Sequence, residues 1–270
     1  MRINMLTGVS IIFTIGLATA AFSGDLCTQG REVSTRKAHF CLVDHNGKEV
    51  KHGAYREFHP GGAKKTVGTY VYGEKTGSWT YWNDKGRKVL EENYRDGQKH
   101  GTVQKWYYNG QMAFDGRYEA GKPVGERMEW HMGGQKMARN VYRHDGGAVH
   151  ATRTTWYDNG QEKSSATYVD GRLNGLETRW HKNGKKRSEF EYKDGQRNGR
   201  SREWYPNGQE KSSNRYIMGK KDGFSSEWYD NGQKKAEGAW KNGRDGQWTY
   251  WKKDGSIREE VAYEEGKRLN

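Results

Sequence analysis

Between residue 53 and the end of the chain a glycine, an aromatic ring five residues later, a second glycine at nine and another ring at seventeen recur nine times. A beat this strict marks a repeat array, in which each unit is one small supersecondary element that packs on its neighbours. With the lead glycine as position 0, the units begin at Gly53, Gly77, Gly101, Gly125, Ala151, Gly175, Gly199, Gly223 and Gly246, at spacings of 24, 24, 24, 26, 24, 24, 24 and 23 residues. Position 5 is Phe58, Trp82, Trp106, Trp130, Trp156, Trp180, Trp204, Trp228 and Trp251. Position 17 is Tyr70, Tyr94, Tyr118, Tyr142, Tyr168, Tyr192, Tyr216, Trp240 and Tyr263, and position 9 is always glycine.

Several copies place Asn before that glycine, as in Trp156-Tyr157-Asp158-Asn159-Gly160-Gln161. Asn-Gly between two short runs rich in aromatic and Thr residues is a strong hairpin signal, so each unit reads as strand, tight turn, strand, and a second glycine-bearing turn near position 20. A two-residue loop would set position 5 opposite 12. A three-residue loop sets 5 opposite 11 and 4 opposite 12. Small or apolar residues at 13 and 15, such as Leu90, Phe114, Ala138, Ala166 and Phe190, alternate with the ring at 17. The three-residue register is the one expected to bring the ring at 5 to that face. It also pairs Glu57 with Lys65, Glu203 with Lys211 and Glu227 with Lys235 on the other, and leaves Arg179 against Arg187 as a mismatch.

The fold class that follows is all-β: an extended antiparallel meander of nine stacked β-hairpin repeats, forming a single-layer twisted sheet with a short N-terminal cap. A lone hairpin is marginal in water, so Trp is expected to stack on Trp and Tyr on Tyr from unit to unit. Eighteen strands at about 4.8 Å each give a ribbon on the order of 85 Å long. The 26-residue unit ends in His144-Asp145-Gly146-Gly147 and is followed by Ala151 in place of the lead glycine, which predicts a bend there. Trp79 and Trp248, in the second and ninth units, predict extra apolar cover near both ends.

Composition agrees with an array rather than a closed core. Only 32% of residues are hydrophobic and 30% are charged, and mean hydropathy is −1.21. Such polarity would suit a disordered chain, but 13% aromatics and three prolines argue for packing in small regular units.

Residues 1–23 read as a secretory signal peptide: Arg2, then an apolar stretch from Val9 to Ala21, with cleavage expected after Ala20 or Ser23. Export places the mature chain in the periplasm or outside the cell. There Cys27 and Cys41 are expected to form a disulfide that staples a cap, residues 24–52, onto the repeats of 53–270. A loop this short stabilises by about 3 kcal/mol in the chain-entropy account.

The run Gly-x-x-x-x-Trp-Tyr-x-Asn-Gly-Gln followed by Tyr-x-x-Gly resembles the bacterial variant of the MORN repeat over residues 53 to 270. The resemblance implies a scaffold for protein contacts or phospholipid binding, and proteins of this type are often labelled antitoxin-like.

Net charge is +13, and cations recur at position 12: Lys65, Lys163, Arg187, Lys211, Lys235 and Arg258. On a stacked sheet they would form a row repeating every ~10 Å, suited to an anionic lipid or acidic glycan, or else a solvated edge neutralised by Glu. The aromatic ladders read as core rather than as a sugar-stacking surface. Position 6, with Tyr107, Tyr157, Tyr205 and Tyr229 and with His59, His131 and His181, is the better contact row. His39, His45, His52 and His59 fall six or seven residues apart, but two occupy ordinary repeat positions and no Cys or acidic ligand set accompanies them. No catalytic motif, cofactor fingerprint or non-repeat domain is present in the sequence. The leading expectation is an exported, non-catalytic scaffold that binds a protein through positions 4, 6 and 12. An envelope binder of anionic lipid or glycan stands second and an antitoxin or immunity component third; export argues against nucleic acid, and exposed sheet edges permit end-to-end self-association.

Overall fold

The computed structural model describes Cys27 and residues 29–269; the signal-peptide reading of 1–23 lies outside them. Every strand among the described residues belongs to one antiparallel sheet of 22 strands, laid down in chain order, and there is no helix. The third unit shows the pattern. Strand Gln98–Trp106 runs into a turn and returns as Met112–Glu119. The main chain of Tyr107 donates to Gln111 O and that of Gly110 to Tyr107 O, so Tyr108, Asn109 and Gly110 form the loop and Gly110 takes a φ of 87°. At the other end of each unit a two-residue turn such as Asp96-Gly97 holds positive φ at both residues, 48° and 71°. Glycine is cheap in that region and Asp tolerates it, which is why this dipeptide recurs.

The three-residue loop is therefore correct, but the ladder beyond it is not the one expected. Trp106 does face Met112, yet Lys105 faces Phe114. Ala113, at position 12, is an extra residue in a β-bulge, and all nine units repeat this shift. Positions 4 and 2 consequently lie opposite 13 and 15, on one face, while alternation sends position 5 to the other. The tryptophans at position 5 thus do not share a face with the Tyr row, a correction to the sequence reading. Nor do they stack on each other: among the described residues no ring contact joins one to the next. Instead the position-11 lysine of the preceding unit lies over the indole, as Lys88 does over Trp106 at 4.6 Å and Lys136 over Trp156 at 5.6 Å.

The core occupies the 2/4/13/15/17 face, and no second layer covers it among the described residues. Its packing is complementary in size across the joint between units. Trp79, 1% exposed, sits against Gly68, Trp248 against Gly238, and Phe190 opposite Ser201. A Cβ on Gly68 would overlap the Trp79 indole ring. Gly68→Val should therefore destabilise by about 1–3 kcal/mol through overpacking, measured by denaturant unfolding, whereas Gly61→Val in an open turn should cost less.

A second row completes this face. In six of the nine units the residue two before the lead position is Lys51, Lys75, Lys99, Arg197, Lys221 or Arg244, and each lies over the position-17 ring of its own unit, Tyr70, Tyr94, Tyr118, Tyr216, Trp240 or Tyr263, at 4.9–5.7 Å. The aliphatic stems cover aromatic surface and the charged ends meet the ring, an arrangement worth about 0.5–2 kcal/mol per unit.

The joint between units carries a further bulge, with Val67 facing Thr80 but Thr69 facing Thr76, and the lead glycine takes up the kink at positive φ. Ala151 is the exception because its joint has no such bulge: Ala138 to Asp145 pair in unbroken register with Thr155 to Ala148. The two extra residues lengthen that hairpin, so the expected interruption is replaced by the most regular pairing in the array.

The N-terminal cap is itself a shortened hairpin of the same sheet, Arg31–Ser34 with Ala38–His45, and joins the first unit through the same bulged step. The disulfide forms between Cys27 and Cys41, Cα atoms 5.4 Å apart, with Cys41 buried.

Candidate binding trough

Along the edge formed by the Asn-Gly turns, side chains of one unit are spent on the main chain of the next. At position 6 the hydroxyls of Tyr107, Tyr157, Tyr205 and Tyr229 donate to the carbonyls of Trp130, Trp180, Trp228 and Trp251 at 2.7–3.0 Å, and His59 and His181 reach Trp82 O and Trp204 O. These side chains, singled out as contacts, hold the array together, and only their ring faces remain for a partner. The sequence reading missed the asparagines at position 8. Asn109, Asn159, Asn183, Asn207 and Asn231 each donate Nδ2 to the next turn's carbonyl at 2.6–3.1 Å. All five also accept from the main-chain N–H two residues on. Their recurrence beside Gly was visible but was absorbed by the turn explanation.

The histidines at the N-terminal end have similar duties. His39 packs edge-on to Phe58, and His45 and His52 pack on Tyr72. Among the described residues no three metal-ligating side chains converge.

The position-12 cations sit on the bulge, on the core face. Lys65 meets Glu57 at 2.6 Å, Lys211 meets Glu203 at 3.6 Å, Lys235 meets Glu227 at 3.5 Å and Arg258 meets Glu259 at 2.8 Å. The three Glu–Lys pairs expected from the sequence form, although the bulge makes each a step off direct register. Arg179 escapes Arg187 by turning to Glu177 at 2.8 Å. Lys163 and Arg187 make no ion pair among the described residues; Lys163 lies 5.8 Å from the Tyr157 ring centre.

What gathers these groups into a site is the size of the residues beneath them. At the ends of the array the core face is filled by Tyr55, Trp79, Tyr81, Trp248 and Tyr250. Over units 6 to 8 no ring stands at position 2 or 4, and Ser201 and Ser225 at position 2 lie beside Ser188, Ser212, Asn214 and Ala236 at positions 13 and 15. The floor drops, leaving two adjoining hollows of about 240 and 220 Å³ that share Arg197, Glu203, Tyr205 and Lys211. Their walls carry Arg179, Arg187, Arg197, Lys211, Lys221 and Lys235 against Glu203 and Glu227, a net cationic trough floored by hydroxyls. Burial lowers the Lys221 ammonium below the usual lysine range, opposed by Glu227. That ammonium would gain from a further anion beside it.

Glu92 is a carboxylate buried on the same face, far from the trough. Burial pushes Glu92 upward, but hydrogen bonds from Lys99, at 2.6 Å, and Tyr94, at 2.8 Å, hold it below its ordinary 4.5. A carboxyl lowered in the folded state stabilises above its unfolded pKa and loses that contribution as pH falls through the folded value. Unfolding free energy should therefore fall as pH drops below about 4.5, and Glu92→Gln should flatten that slope in urea titrations at successive pH values.

The family model described as MORN repeat variant matches residues 99–120 and 173–194, the core of units 3 and 6. No curated protein matches. Among solved structures, one titled "Crystal Structure of TcdB2-TccC3-TEV" aligns with 83% of this chain at 9% identity and a TM-score of 0.14. This chain spans 18% of that one's length, and at such a score the likeness carries no argument.

Proposed function

We propose that this chain, two of whose units match the MORN repeat variant, is an exported, non-catalytic scaffold that holds an acidic segment of a partner protein in the trough over units 6 to 8. The observation that carries this reading is the coincidence of lowered floor and unbalanced charge, six cations against Glu203 and Glu227 on the walls and Glu177 beside Arg179, with Arg187 in no ion pair among the described residues. An extended acidic strand fits such a channel, because each carboxylate can replace water at a cation without displacing a packed ring. A flat anionic bilayer is the weaker candidate. It reaches only the rim and leaves the floor of the trough unfilled. The disulfide supports an oxidising compartment and hence export.

Fluorescein-labelled poly-L-glutamate is the probe. The intact protein should bind it at low ionic strength and lose at least tenfold in affinity when Arg187, Lys211 and Lys235 are all changed to Ser; changing Lys88, Lys186 and Lys234 on the opposite face should matter less than threefold. Equal losses from the two triples would overturn the trough. Tight binding to phosphatidylglycerol vesicles without binding to polyglutamate would favour the membrane reading instead.

A further inference from the structure

The row of cations laid over the position-17 rings is broken in three consecutive units, where Pro123, Val149 and Leu173 take the place of Lys or Arg. Over the fifth unit the consequence is a cavity of about 770 Å³, lined by Asn140, Tyr142, Val149, Ala151, Arg153 and Tyr168, with Asp170-Gly171 at its edge. Its size falls within the usual range for small-molecule sites. The unbulged joint at Ala151 sets Asn140 directly opposite Arg153 on this face. Asn140 is 4% exposed, yet its Nδ2 donor has no partner. Arg153 makes no ion pair among the described residues. A buried amide donor without an acceptor has lost its water and gained nothing in return, a deficit that a ligand oxygen would make good.

We propose that this cavity binds a small aromatic carboxylate, its ring between Tyr142 and Tyr168 and its carboxylate on Asn140 Nδ2 and the Arg153 guanidinium. The ring takes the place that a lysine or arginine stem fills in six other units, and the two donors select an anion over a neutral or cationic guest. Asp170 at the edge makes no ion pair with Arg153 among the described residues, and its Oδ1 accepts from the main-chain N–H of Val149 at 2.8 Å. The site is separate from the trough and stands whether or not the trough binds a protein.

The molecule's own pattern supplies the decisive variant. Val149→Lys restores the side chain that covers the ring in other units, so it should fill the cavity while keeping the sheet. Titration of the full chain with 2-naphthoate, followed by its fluorescence, should give saturable binding at one equivalent. Val149→Lys should weaken it at least tenfold with an unchanged far-UV dichroism spectrum, and polyglutamate binding should stay as in the wild type. Asn140→Leu should weaken 2-naphthoate at least fivefold but leave 2-naphthalenemethanol within twofold. Absence of saturable naphthoate binding to the wild type would overturn the proposal, as would a Val149→Lys protein that binds as the wild type does. Should Val149→Lys fail to fold, the Asn140→Leu comparison of acid with alcohol decides alone, and equal effects on the two would count against the site.

Discussion

Trp79→Ala should lower the unfolding free energy by about 3–5 kcal/mol, the largest effect expected of any single substitution in this protein. The side chain is almost wholly buried, and its ring meets Tyr70, Tyr55 and Tyr94 while Lys75 lies over it at 4.3 Å. Gly68 opposite cannot collapse into the space, having no side chain to do so. Trp82, three residues on, is the control. It lies on the opposite face and is only half-buried, so Trp82→Ala should cost roughly 1–2 kcal/mol. Because units in an array depend mainly on their neighbours, the damage should stay local. Hydrogen exchange should quicken first in strands Lys64–Val71, Glu74–Trp82 and Lys88–Arg95 and leave units 6 to 9 unaffected. Equal losses for the two tryptophans would contradict the division of faces.

Changing Asn159, Asn183, Asn207 and Asn231 together to Ala should cost roughly 2–4 kcal/mol, at about 0.5–1 for each bridging amide. Each of the four donates to the following turn, so the quadruple variant removes this line of contacts over units 5 to 9. The loss should be felt between units rather than within them. Unfolding should become broader and less cooperative as neighbouring units uncouple, read as a smaller m-value in urea. A sharp transition with an unchanged midpoint would show that these amides are idle.

Much of the fold was legible because it rests on backbone rules. The 24-residue period, Asn-Gly at the loop and glycine near position 20 each demand a particular turn, and the hairpins follow. The distribution of faces was not legible. A single bulge residue at position 12 inverts the alternation between the two ends of a strand, and nothing in the identities of Lys65, Ala113 or Lys211 announces it. Position 5 was therefore assigned to the wrong side although its invariance was plain. The cohesion between units was misjudged for a related reason. Aromatic repetition suggested ring-on-ring stacking, whereas the contacts that recur are Lys over Trp, Lys or Arg over Tyr, and Asn or Tyr onto a carbonyl. The Glu–Lys pairs were found from sequence because long side chains reach across a one-residue shift. The trough was missed because it is made by absence, serine where other units carry rings, and a pattern search reads presence.

Lysine acetylation footprinting with bound poly-L-glutamate tests the central claim most directly, since units 6 to 9 carry lysines on both faces. Lys211, Lys221 and Lys235 line the trough, while Lys186 and Lys234 lie over Trp204 and Trp251 on the reverse side. Protection of the first three with Lys186 and Lys234 labelled at the free rate is the outcome predicted. Protection of Lys186 and Lys234 instead, or equally on both faces, would contradict a partner held on the serine-floored side.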